Sequence, residues 1–220
     1  MVPGISLDKI RAIAFDFDGV ILDSVQLKAD LFVDSYDHPL DSAQKTFILT
    51  YQAAYGGVGR VKKFEYFERA VFRREPDPAV VRALAARYGT LLMERIPYCG
   101  ELPGARTFLN RLKPNLSLHL VSGTSHDDLV RIVADRALTR YFDSVTGAPT
   151  GKTEAFTTIA DSVGVKLDEV LAIGDSTTEY EAAHGLGMPF VGIVKEGEEN
   201  PFPPAVPTYA NLEKLNWAWY

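Results

Sequence analysis

Residues 10–17, IRAIAFDF, form an almost continuous apolar run that closes on acidic side chains. The run is too short for a globular helix and shows no polar alternation, the pattern of a strand covered on both faces and therefore of a parallel sheet. Similar runs recur at 116–123 (LSLHLVSG), 143–148 (DSVTGA), 169–175 (EVLAIGD) and 190–194 (FVGIV), separated by stretches with helix start and stop signals. Thr124 or Ser125 can cap a helix with Asp127 and Asp128 in its first turn. Thr153 can cap a second that stops near Gly164, and Ser176 a third that ends near Gly185. The second half is thus repeated β-α, and the runs predict an α/β fold on a five-stranded parallel sheet. Ligands of such sheets bind beyond the carboxyl ends of the strands, so the loops after residues 15, 121, 147 and 174 are expected to surround one crevice.

Between residues 24 and 97 the apolar positions follow helical spacing, which predicts a helical insertion. Asp77-Pro78 opens the segment PAVVRALAARY, and Gly89 is expected to end it; Gly56, Gly57 and Gly59 mark a loop. The links fall near 22–24 and 97–104, so the expected domains are 1–23 with 98–220, and 24–97. PFPPAVP at 201–207 reads as an extended surface segment before a short C-terminal helix. With 46% hydrophobic and 24% charged residues in 220, the chain has the composition of a folded globular protein, not of a disordered or coiled-coil one. Its 23 Lys+Arg against 29 Asp+Glu, a net charge of -6, argue against a broad nucleic-acid or anionic-membrane footprint. Cys99 is the one cysteine, no secretory signal is visible, and apolar runs fall far short of the roughly 18 residues that span a bilayer. A cytoplasmic address is expected.

Asp16-Phe17-Asp18-Gly19 sets two carboxylates and a glycine at the end of the first strand. Like charges so close call for a counterion, and Mg²⁺ would supply one while also neutralising a phosphate. An isolated motif of this kind is equally a solvated acidic turn; its place after a buried strand favours a site. Ser122-Gly123-Thr124 follows the second strand with a hydroxyl and backbone N–H groups at a helix start, either a phosphate cradle or a plain cap. Lys152 stands at the start of another helix, where the macrodipole disfavours a cation unless an anion is close. Asp175 and Glu179, four apart after the fourth strand, share one face of a helix start, as ligands or as favourable terminal charge. Gly147 to Thr153 falls one residue short of a nucleotide-binding P-loop, and no GxGxxG, zinc cluster or GxSxG elbow is present. His38, His119, His126 and His184 are scattered.

Together, FDFDGVILDS, VSGTS, GKTEAF and IGDSTTEYEAA, with LPGARTFL after the insertion, resemble the four ordered motifs of the haloacid dehalogenase superfamily. The match is to its phosphatase branch with a helical cap inserted after the first strand (phosphoglycolate phosphatase/β-phosphoglucomutase-like). The resemblance implies a three-layer, Rossmann-like core and hydrolysis of a small phosphorylated metabolite, with Mg²⁺, through an aspartyl-phosphate. It implies Asp16 as nucleophile, Asp18 as general acid and base, and Asp16, Asp18 (through its main-chain carbonyl) and Asp175 around the metal. Ser122, Gly123, Thr124 and Lys152 would hold the phosphoryl oxygens. Relatives usually carry Asp where Glu179 stands, so an indirect role for Glu179, such as pairing with Lys152, is expected. Gly57 and Arg60, in the cap loop, would meet the leaving group, with Arg60 offering a planar cation for a second anionic group or sugar hydroxyls. A mutase or a C–P bond hydrolase could use the same core; the latter needs an imine-forming cap lysine, for which Lys62 and Lys63 are weak candidates. A phosphorylatable receiver-like module is the alternative of another class, disfavoured by the large insertion. A monomer or homodimer is expected.

Overall fold

In the computed structural model, which describes residues 4–218, six strands form one parallel sheet in the order β3-β2-β1-β4-β5-β6. They are β1 (Ala12–Phe15), β2 (Ser117–Ser125), β3 (Ser144–Ala148), β4 (Val170–Gly174), β5 (Phe190–Ile193) and β6 (Thr208–Tyr209). The first five are the runs read from the sequence. The sixth was not expected, because two residues behind a proline carry no periodicity. Pro207 cannot donate to the ladder, but its carbonyl accepts from the Gly192 amide (3.0 Å) and starts the pairing. Phe202, in the stretch read as surface, is buried against Gly192 and the Phe190 ring (5.3 Å).

Side chains alternate across β1. Ile13 and Phe15 face a core completed by α5 (Ala105–Leu112), α6 (His126–Asp135) and α9 (Leu212–Ala218). Ala12 and Ala14 face the other, where their small size seats α7 (Lys152–Val163) close to the sheet beside α8 (Thr177–Gly185). The result is three layers. Each fully buried Phe or Ile contributes about 1.5–3 kcal/mol of transfer free energy. α6 follows Ser125, α7 stops at Gly164 in the left-handed region (φ 74°), and α8 follows Ser176, as expected. α7 starts two residues early, with Gly151 rather than Thr153 at its cap position.

Chain progress reverses direction at β1: β2 and β3 lie to one side, β4 to β6 to the other. The strand-end crevice between β1 and β4 is therefore the switch point where ligands of open α/β sheets bind. Between β1 and β2 come four helices, α1 (Val25–Asp34), α2 (Ser42–Ala54), α3 (Arg60–Ala70) and α4 (Pro78–Arg95), packed around Phe32, Phe64, Phe67 and Tyr88. The 56–59 loop is where the glycines placed it. Gly89, by contrast, does not end its helix; α4 runs on to Arg95. A Cβ there would lie 3.2 Å from the Arg60 guanidinium, so this glycine makes room for a neighbour instead of breaking the helix. Among the described residues no helix is long and apolar enough to cross a membrane.

Candidate active site

Asp16 extends β1 by one ladder bond, its amide donating to the Ile173 carbonyl at 2.8 Å, so its carboxylate emerges at the switch point beside the end of β4. Lys152, on the first turn of α7, reaches it: Nζ donates to Asp16 Oδ1 at 2.5 Å and to the Val121 carbonyl at 2.6 Å, and lies 3.0 Å from Glu179 Oε1. Glu179 Oε2 accepts from the Ser176 amide (3.2 Å) and hydroxyl, which fixes its rotamer at the start of α8. Burial alone would lower the Lys152 pKa; Asp16 and Glu179 outweigh it and hold the ammonium well above its ordinary value. The lysine disfavoured at a helix start thus has two anionic partners.

One ligand oxygen each from Asp16, Asp175 and Glu179 lie within 4.8 Å of one another. Burial, and then the surrounding carboxylates, push Asp175 well above the usual carboxylate range. Burial also raises Asp16, to about 7, against the pull of Lys152 and with the help of Glu179 and Asp18. Three crowded carboxylate oxygens form the hard donor set that a divalent cation such as Mg²⁺ takes, and a cation there would relieve their repulsion. Glu179 pairs with Lys152 and also belongs to this cluster, whereas the carboxylate of Asp18 lies outside it.

Asp18 turns instead to Lys28, at 2.6 Å, and to the hydroxyls of Ser24 and, at 3.2 Å, Ser122. Burial would raise it, but Lys28 and these donors hold it below the usual range, so in this arrangement it is a carboxylate. Gly19 makes the crossing possible: its φ is +77°, and a Cβ would stand 2.0 Å from Asp175 Oδ2. Ser122, Gly123 and Thr124 lie in the irregularity where the β2–β3 register shifts between Val121 and Ser125, and Ser122 Oγ accepts from the Thr124 amide (3.1 Å). Bulges of this kind re-aim side chains at a sheet's rim.

The 56–59 loop comes down on these core loops. A Cβ on Gly57 would meet Glu179 Oε1 at 2.8 Å, and one on Gly123 would meet the Gly57 carbonyl at 2.7 Å, so only glycines permit the contact. Asp16, Asp18, Asp175, Gly57, Gly123, Thr124 and Arg60 all line one pocket of about 90 Å³. Arg60, however, is not a free cation. Its Nη1 donates to Asp128 Oδ2 on α6 at 2.5 Å, and its guanidinium lies 5.6 Å from the Tyr88 ring centroid. It ties the inserted helices to the sheet domain. Arg60→Ala and Asp128→Ala are each expected to speed amide exchange at residues 56–60 about tenfold, with the double variant no faster than either. Additive effects would show that the two do not act as a pair.

Two pocket residues escaped the motif reading. Lys28 stands one turn beyond Ser24 at the start of α1, the same unfavourable place for a cation that singled out Lys152, so the signal was present. Lys63, a weak candidate by sequence, is 1% exposed and lines the pocket.

The motif order, the sheet order and this carboxylate–lysine cluster agree with a match to a family of known proteins. The family model described as haloacid dehalogenase-like hydrolase matches residues 10–187, and the chain belongs to that family of enzymes. It is 24% identical over 207 residues to the phosphoglycolate phosphatase of Salmonella choleraesuis, covering 85% of this chain and 82% of that protein. Among solved structures, a hydrolase from Pseudomonas syringae superposes with a TM-score of 0.76 at 20% identity over 94% of this chain and 96% of that one. CbbY from Rhodobacter sphaeroides, solved in complex with phosphate, gives 0.69 at 19% identity over 94% and 99%.

Proposed function

We propose that the protein is a Mg²⁺-dependent phosphatase of small phosphorylated metabolites, working through an aspartyl-phosphate on Asp16, with residues 24–97 as a cap over the site. The observation that carries this reading is the Asp16 carboxylate, held by Lys152 at the switch point within the Asp16–Asp175–Glu179 cluster. The likeness to phosphoglycolate phosphatases and the phosphate complex of a structural relative support it.

In this reading a carboxylate oxygen of Asp16 attacks phosphorus, the ester P–O bond breaks, and the departing alkoxide takes a proton from Asp18. That half needs Asp18 protonated, which requires Lys28 to withdraw from it. In the second half Asp18 takes a proton from water, the oxygen of that water attacks phosphorus, and the P–O bond to Asp16 breaks to release inorganic phosphate. Lys152, the Ser122 hydroxyl and the Gly123 amide hold the phosphoryl oxygens, while the Thr124 amide is engaged by Ser122 Oγ. Asp16, Asp175 and Glu179 would hold the Mg²⁺, with the Asp18 carbonyl beside them, and the ion would supply charge neutralisation at the phosphoryl group. Gly57 and Arg60 close the loop that keeps bulk water out.

The test is a screen of phosphorylated metabolites for released phosphate. Turnover of a short-chain ester with Mg²⁺, lost with EDTA and regained with excess Mg²⁺, is expected. Turnover that survives EDTA would overturn the metal requirement, and no turnover of any ester would overturn the reading.

A further inference from the structure

The pocket holds more positive charge than the phosphoryl chemistry uses. Arg60 is spent on Asp128, Lys28 on Asp18 and Lys152 on Asp16 and Glu179. Lys63, one turn into α3, makes no ion pair among the described residues, although it is 1% exposed. Its ammonium donates to Gln52 Oε1 and to the Gly56 carbonyl (3.1 Å) and sits 5.2 Å from the Phe32 ring centroid. An ammonium has three N–H donors, and the third finds no acceptor among the described residues. A buried charge without a counterion is costly, which a purely structural lysine would not tolerate well. Burial and then Lys28 pull its pKa down to about 7, against Asp18 and Glu179, as the absence of a close anion would require.

We propose that Lys63, with Gln52 beside it, is the specificity-determining end of the pocket and takes a second anionic group of the substrate. The substrate class is then a phosphomonoester whose short alcohol portion ends in a carboxylate or a second phosphate. This deepens the phosphatase reading and rests on it for the phosphoryl end alone. The role expected of Arg60 passes to a residue three positions further on, on the same helix. The pocket's 90 Å³ limits the carbon chain between the two anions to a few atoms.

The test measures binding apart from turnover. Calorimetry on the Mg²⁺-loaded Asp16→Asn protein would compare phosphoglycolate, ethylene glycol bisphosphate and ethyl phosphate, with and without Lys63→Met. At least one doubly anionic probe is expected to bind about 30-fold or more tightly than ethyl phosphate, and Lys63→Met to remove most of that preference. The probe that shows the preference identifies the second group as carboxylate or phosphate. Lys63→Met should melt no lower than its parent, because it removes an unpaired buried charge; Lys63→Gln serves if the Met variant does not fold. No preference for either doubly anionic probe overturns the proposal. Equal loss for all three probes also overturns it and makes Lys63 a brace for the 56–59 loop. If the preference is found and the protein with Asp16 intact releases no phosphate from any probe, the phosphatase reading falls and the Lys63 assignment stands.

Discussion

Asp16→Asn is expected to reduce phosphate release by about 10⁴-fold or more while leaving a folded protein. An amide lacks the anionic oxygen that attacks phosphorus, and no neighbouring group can replace it: Asp175 and Glu179 follow β4, and Asp18 is turned to Lys28. The loss should appear in kcat. Lys152 keeps its contact with Glu179, so the anchoring of α7 against the sheet survives the change. Circular dichroism and a thermal melt would check folding, and rapid-quench capture of a phosphorylated protein in the parent but not the variant would check the intermediate. Activity within about tenfold of the parent would remove Asp16 from the nucleophilic role.

Mg²⁺ should raise the melting temperature of the parent protein and have little effect on Asp175→Asn, since a ligand that binds only the folded state stabilises it. In the absence of metal the order reverses. Asp175 is a buried carboxylate among Asp16, Glu179 and Asp18, so Asp175→Asn should melt higher than the parent by about 3 °C. The pH dependence follows from the same groups. Asp16 and Asp175 keep their protons in the folded state above the ordinary value of 3.8, Asp16 up to about 7. Between these limits the unfolded chain has released protons that the folded chain retains. Rising pH through this window therefore lowers the stability of the metal-free protein. Melting curves from pH 4.5 to 7.5 with EDTA should show this fall, and Mg²⁺ should flatten it. A metal-free parent that grows more stable with pH through this window would contradict the cluster's electrostatics.

The parts of this architecture that were legible in the sequence are those written in local periodicity. AIAF followed by DFDG announces a covered strand with acidic groups at its end, and the β4 run with Gly174-Asp175 does the same; the structure puts both ends at one switch point. Lys152 was legible because a cation at a helix start demands an explanation, and the same logic applied to Lys28 would have found the partner of Asp18. Other features depend on contacts between distant segments. Arg60 looks like a free cation until Asp128, 68 positions later, is brought against it, and Gly89 looks like a helix stop until Arg60 is seen to need its missing Cβ. Glu179 joined the carboxylate cluster because its side chain lies against Gly174, where a Cβ would meet it at 2.8 Å. β6 has two residues, too few for any alternating pattern to register.

That brevity bears on how copies of the chain behave toward one another in a crowded solution. The β5 side of the sheet would otherwise end in a row of unpaired amides and carbonyls, which is a template for recruiting a strand from a neighbouring molecule. β6 covers that row and offers only Thr208 and Tyr209 in its place, with Pro203, Pro204 and Pro207 just upstream unable to donate to an incoming ladder. Phe202 folds back over Gly192 and keeps the segment against its own sheet. This edge is thereby poor ground for runaway sheet growth between molecules.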